Sequence, residues 1–365
     1  MGIQRLMRDH VMTRAGEGGK IVTRILWVLT ALLAWHSAGA SAATLLVANK
    51  SADTVSLVQL PGGEVVATLP TGAAPHEVAV SPDGRVAVIS DYGTRERAGD
   101  TLTVIEVPAA RPMATIALPA GTRPHGLQWL DDRRILVTAE GIRSLLLVDV
   151  VAREVTETIA IEQEIAHMVA ASAERAFTAN IGSGTATAVD LAGAAKIGDL
   201  ASGEGAEGIA LADGGRELWV SNRGADTVSV FDARTLARLD EIELPGFPIR
   251  VETDDPRGRI YATLPKADAL AVIDRQSRTV SRIIPFDIGP DRERKTLFGD
   301  MLPDSSIPIG VLLSRDGSAL FVAHSNAHVI SVYDARSLER TAIIPAGLEP
   351  DGMDWSPLEV KRPGT

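Results

Sequence analysis

Three histidines hold one place in a recurring pattern: Pro75-His76-Glu77-Val78, Pro124-His125-Gly126-Leu127 and Ala166-His167-Met168-Val169. The next copy, Ala206-Glu207-Gly208-Ile209, carries a carboxylate there, and so does the last, Pro350-Asp351-Gly352-Met353. Imidazole nitrogens with carboxylate oxygens make a donor set for a divalent transition ion, and a chain without cysteine offers no thiolate for a softer one. His76, His125, His167 and Glu207 are therefore the candidate metal ligands. Glu207 or Asp351 is either a fourth ligand or the acceptor that fixes an imidazole tautomer. The competing chemistry is plainer: polar side chains lining a wet channel and bonding to water or main chain. Arg250 and Arg123 are placed to hold an anionic group. His324 and His328 flank the turn His324-Ser325-Asn326-Ala327-His328, and His324 joins the ligand-binding set.

These positions converge only if the chain is a ring of repeats. The clearest copy runs from Glu207 to Pro245: three β-rich runs, 209–211, 218–221 and 227–232, are parted by Gly, Asp and Asn turns and followed by a fourth at 239–244. That is a four-stranded antiparallel sheet with short connections, and it recurs at roughly 40-residue spacing, as propeller blades do. Strand openings at Pro75, Pro124, Ala166, Ala206, Pro248, Pro308 and Pro350 number seven, so seven blades are expected. The chain enters at a second strand, Leu45 to Asn49, and finishes on a lone first strand, Pro350 to Ser356. Pairing these two closes the ring and hides both edges. Asp149, Asp190, Asp232, Asp274 and Asp334 end third strands, where a carboxylate caps the next turn. Asn49, Asn180 and Asn222 close second strands in the same structural role. Trp129, Trp219 and Trp355 fall inside strands and fill space between blades.

Ring closure sets Asp351 beside His76. Around the mouth the order is then Asp351, His76, His125, His167, Glu207, Ile249 and Ile309, polar over five blades and apolar over two. Two insertions, Asp91 to Asp100 and Pro285 to Ser306, interrupt the repeats. Both connect on the face that carries the mouth, where long insertions form binding apparatus.

Residues 1–42 read as an export leader, with Lys20 and Arg24, then the apolar run Ile25 to Trp35, then Ala40-Ser41-Ala42 for cleavage. The run is short of the ~20 residues of a membrane span. Residues 43–357 are the propeller and 358–365 a short tail. Loss of the leader changes 36 basic and 47 acidic residues to 31 and 45, a formal charge of −14. Such a surface disfavours nucleic acid and anionic lipid, leaving a periplasmic or secreted monomer with no stable membrane insertion. No nucleophile elbow, P-loop, dinucleotide fingerprint, HExxH or haem-attachment motif is present. No residue is singled out as catalytic.

The segments VANKSADTVSLV, SPDGRVAVIS, VSNRGADTVSVFD and VAHSNAHVISVYD resemble the YVTN-type β-propeller repeat family over essentially all of Ala43 to Pro357. The resemblance implies an all-β, seven-bladed exported propeller. Related architectures include lactonases and lyases. The expectation is a non-catalytic propeller that binds a protein or small ligand through its top face; the alternative is a metal-assisted lactonase or lyase working at the His-rich mouth.

Overall fold

The computed structural model describes residues 42–361 except 294, 295, 297 and 298. The expected leader, apart from its last residue, and positions 362–365 of the expected tail lie outside the described residues. Seven four-stranded antiparallel sheets are formed, as expected. Blade 1 joins the two ends, with Pro350–Ser356 innermost, then Ala43–Asn49, Thr54–Leu60 and Glu64–Pro70. Leu45 pairs with Trp355 and Val47 with Met353 across the closure. The remaining blades follow in chain order, each running from channel to rim; blade 2 is Pro75–Val80, Val86–Gly93, Ala98–Glu106 and Arg111–Ala117.

Second and third strands are apolar on both faces because each sheet is sandwiched between two others. Leu45 and Val47 face blade 7, packing with Phe321 and Ile330. Leu46 and Ala48, one residue out of step, face blade 2 and meet Val78 and Ile89. Every junction between neighbouring blades carries such a cluster. Trp129, Trp219 and Trp355 are buried in three of them, as their place within strands implied.

The turn aspartates cap as expected; Asp232, for example, accepts from the Arg234 and Thr235 amides. The asparagines act differently, tying their own strand to the next one. Asn180 donates to Thr185 and Thr187, and Asn222 to Thr227 and Ser229, at 2.9 to 3.0 Å.

The first insertion is a longer hairpin rather than a free loop. Second and third strands of blade 2 extend until Gly93 pairs with Ala98, and Thr94 N bonds Arg97 O at 2.8 Å. Gly93 sits at φ +87°, where a Cβ would lie 2.1 Å from the Gly99 nitrogen, so only glycine fits. The second insertion crosses to blade 7, Asp291 N bonding Asn326 O at 2.7 Å. Residues from both insertions border one cavity at the channel mouth.

Candidate functional site

Inner strands carry a register irregularity at the mouth, as between Pro75 and Val78, Ala166 and Val169, and Pro308 and Val311. Such bulges re-aim side chains beside functional sites. Here two successive residues approach the axis instead of one. The first forms the expected ring: Asp351, His76, His125, His167 and Glu207 form one arc of the mouth. Ile249 and Ile309 complete it, packed with Ile307 and under Leu302 of the second insertion. The second residue is usually glycine, because the neighbouring strand passes too close for a side chain. A Cβ on Gly310 would stand 2.3 Å from the Asp351 carbonyl. Two blades place charges there instead. Arg250 reaches across the channel to Glu77, Nη2 to Oε1 at 2.5 Å, and lies 3.6 Å from Glu207 and 3.9 Å from Asp351. This strap floors a cavity of 580 Å³, within the range of small-molecule sites.

The three imidazoles come together. His76 Nδ1 lies 3.0 Å from His125 Nε2, and the His125 and His167 rings stack with centroids 3.5 Å apart. His167 bridges two carboxylates, with Nδ1 2.6 Å from Glu140 Oε1 and Nε2 3.4 Å from Glu207 Oε1. His76 Nδ1 also faces Asp351 at 3.4 Å, and Lys50 lies 3.3 Å from both Asp351 and Glu349. His125 is fully buried and its Nδ1 has no hydrogen-bond partner; neither has Arg250 Nη1 nor Asp351 Oδ1. Buried polar atoms are almost always paired, with protein or ordered water. The three atoms border one cavity floor, His125 Nδ1 4.0 Å from Glu77 Oε1, Arg250 Nη1 3.6 Å from Glu207 Oε1 and Asp351 Oδ1 3.9 Å from Arg250 Nη2, near enough to pair as ions but not to hydrogen-bond.

Burial holds His76 and His125 well below the usual histidine range, and neighbouring cations add to it. Burial also pulls on His167, but its bonds to Glu140 and Glu207 outweigh that and raise it. Burial pushes Glu77 up against the pull of Arg250. Asp351, despite burial, is brought to about 2 by Lys50, His76 and Arg250.

Three residues of this site escape a comparison of inner-strand openings: Lys50, Tyr92 and Glu140. Each directly follows its blade's second strand or lies at that strand's end, as Ile181 and Arg223 do in the next two blades. The same register comparison made at that position would have found them. Tyr92 donates to Glu140 Oε2 at 2.7 Å and packs its ring on His76, with centroids 4.3 Å apart. Arg123 lies over that ring. Glu140, not Glu207 or His76, completes the group whose donor atoms cluster with those of His125 and His167, all within 4.8 Å of one another.

His324 is a correction. It closes a second strand where three other blades have asparagine, fully buried and away from the cavity, bonded to Ser306 and Ser331 at 2.8 and 2.7 Å. Strand pairing continues to His324 opposite Val329, so it belongs to the sheet rather than to the turn. His328 is buried too, its Nδ1 accepting from Glu349 N at 3.0 Å.

Fold and site together define a seven-bladed propeller with a charged cavity at its channel mouth. The family model described as Lactonase, 7-bladed beta-propeller matches residues 28–281, more than half of the chain, and the chain belongs to that family. It is similar to Antigen Lp49 of Leptospira interrogans, 34% identical over 112 residues, 30% of this chain and 21% of that one. The match thus spans about a fifth of that relative's length. Among solved structures it resembles the periplasmic gluconolactonase PpgL of Pseudomonas aeruginosa, at TM-score 0.67 and 15% identity over 87% of this chain and 99% of that one. A functionally unknown protein from Desulfotomaculum acetoxidans aligns at 0.70 and 14%, over 87% and 99%. The dihydro-heme d1 dehydrogenase NirN aligns at 0.62 and 16%, over 85% and 74%. These structural likenesses concern the fold.

Proposed function

We propose that the chain is an exported hydrolase that opens a small lactone at the channel mouth. The observation that carries this reading is the set of buried polar atoms without a hydrogen bond, His125 Nδ1, Arg250 Nη1 and Asp351 Oδ1, beneath a cavity of 580 Å³. Membership in the lactonase family supports a catalytic site over the non-catalytic propeller expected from the repeats alone. The YVTN-like blades are the scaffold common to both readings.

The pocket is divided in a way that suits a cyclic ester. Ile165, Ile181 and Ile309 offer an apolar wall for the carbon skeleton, while His76, His125 and Glu207 line the polar side. Water adds through oxygen to the lactone carbonyl, the acyl carbon to ring-oxygen bond breaks, and the water's protons end on the freed hydroxyl and the carboxyl. Lys50 and Arg250 supply positive charge beside the carbonyl oxygen as it becomes anionic. Arg123 and Arg223 stand higher in the same cavity for an anionic substituent.

No helix among the described residues is long and apolar enough to cross a membrane. Export to the periplasm or medium and a monomeric state belong to this proposal. The test is a pH-stat assay of the purified chain across γ- and δ-lactones, with ligand binding measured in parallel. Acid release by the chain above the spontaneous rate is expected. Saturable binding without acid release would overturn the hydrolase in favour of a binding propeller.

A further inference from the structure

From the way the mouth is braced, we infer that His125, His167 and Glu140 bind one divalent transition ion, open to the cavity. A ring nitrogen from each histidine and a carboxylate oxygen of Glu140 lie within 4.8 Å of one another. Donors at 2.0 to 2.2 Å around a tetrahedral ion stand about 3.3 to 3.6 Å apart. Closing the group therefore draws the widest pair in by roughly 1.2 to 1.5 Å and opens the His167 Nδ1–Glu140 Oε1 pair, now 2.6 Å apart, by side-chain rotation.

Each of the three is held from behind on the atom that would not ligate. His76 takes the Nε2 side of His125 at 3.0 Å, Glu207 the Nε2 side of His167 at 3.4 Å, and Tyr92 the Oε2 of Glu140 at 2.7 Å. Metal ligands are characteristically oriented by such outer partners, which fix tautomer and ring direction. With His125 Nε2–H donated to His76, its Nδ1 carries a lone pair, and that is the fully buried nitrogen without a hydrogen bond, 4.0 Å from Glu77 Oε1. Without the ion His167 Nδ1–H donates to Glu140 Oε1 at 2.6 Å; an entering ion displaces that proton and frees both atoms to ligate, leaving Nε2–H directed at Glu207.

Two imidazoles and a carboxylate leave a position for water or a carbonyl oxygen, the arrangement of a catalytic rather than a structural zinc site. The ion deepens the proposed hydrolysis by polarising the lactone carbonyl. Its part in catalysis rests on that reading, while its binding does not.

The test is calorimetric titration of the chelator-treated full chain with Zn(II) alone. One saturable site per chain is expected, weakened about 100-fold or more in His125→Ala and Glu140→Gln and about 10-fold in Tyr92→Phe. Circular dichroism checks the fold, and Tyr92→Phe, which keeps the ring, decides the matter if His125→Ala misfolds. No saturable uptake by the wild type, or equal uptake by all variants, would overturn the site. A chain that binds zinc but opens no lactone keeps the site and loses the hydrolase. Lactone opening that survives chelation, with no zinc uptake, keeps the hydrolase and loses the site.

Discussion

Asp91 occupies the position where blades 1, 4 and 5 have asparagine, and a single atom separates the two side chains. It accepts from Gly72 N at 3.0 Å, Thr101 Oγ1 at 2.7 Å and Thr103 Oγ1, in a site 2% exposed. Burial pushes it up to about 6, against about 3.9 in an unfolded chain. The folded state thus binds the proton more tightly. The stability this contributes is fully present below about pH 4 and lost as pH rises through about 6. The loss is up to about 3 kcal/mol. Asparagine keeps an acceptor, adds a donor for the threonine oxygens and does not titrate. Asp91→Asn should therefore gain about 1 to 3 kcal/mol at pH 7.5 and lose the slope between pH 4 and 6, as urea unfolding at several pH values would show. A variant with the wild-type slope would refute this.

Between strands, the mouth is held by hydroxyls that link one blade to the next. Thr138 accepts from Gly126 N at 2.7 Å and donates to the His167 carbonyl at 2.6 Å. Ser221 and Thr263 repeat the link to the carbonyls of Ile249 and Ile309. Thr138→Val keeps the shape but strands a buried N–H and a buried C=O, which costs about 1 to 3 kcal/mol. Chemical unfolding should register that loss, and stability equal to wild type would contradict the role. These links also explain what was legible in advance. Strand openings repeat in type and spacing, so His76, His125, His167, Glu207 and Asp351 could be set on one ring before any coordinates. Glu140 and Tyr92 could not be found from those openings, because they belong to a different register, the ends of second strands. His324 flanks its turn as expected, but its ring is buried between Ser306 and Ser331 rather than in the cavity, a long-range contact that the local turn pattern does not signal. The Glu77–Arg250 strap spans the channel between blades far apart in sequence, and no local pattern signals it.

At the scale of the whole ring, seven blades leave a channel too crowded for side chains except where function or bracing requires them. Glycine fills the second bulge position in four blades: Gly126, Gly208, Gly310 and Gly352. The two charged exceptions, Glu77 and Arg250, brace the floor, and residues of both insertions border the mouth. The fold could be read from repeats because every blade reports on the same architecture; the choice between binding and lactone opening could not, because the residues proposed for it are scattered one or two to a blade. Whether the mouth performs the proposed reaction is the deciding question. The most direct measurement is kcat/KM for a lactone the wild type opens, compared with a folded His125→Ala chain. A fall of about 100-fold or more is expected, equivalent to roughly 3 kcal/mol of transition-state stabilisation. An unchanged kcat/KM would place the chemistry elsewhere and contradict the account.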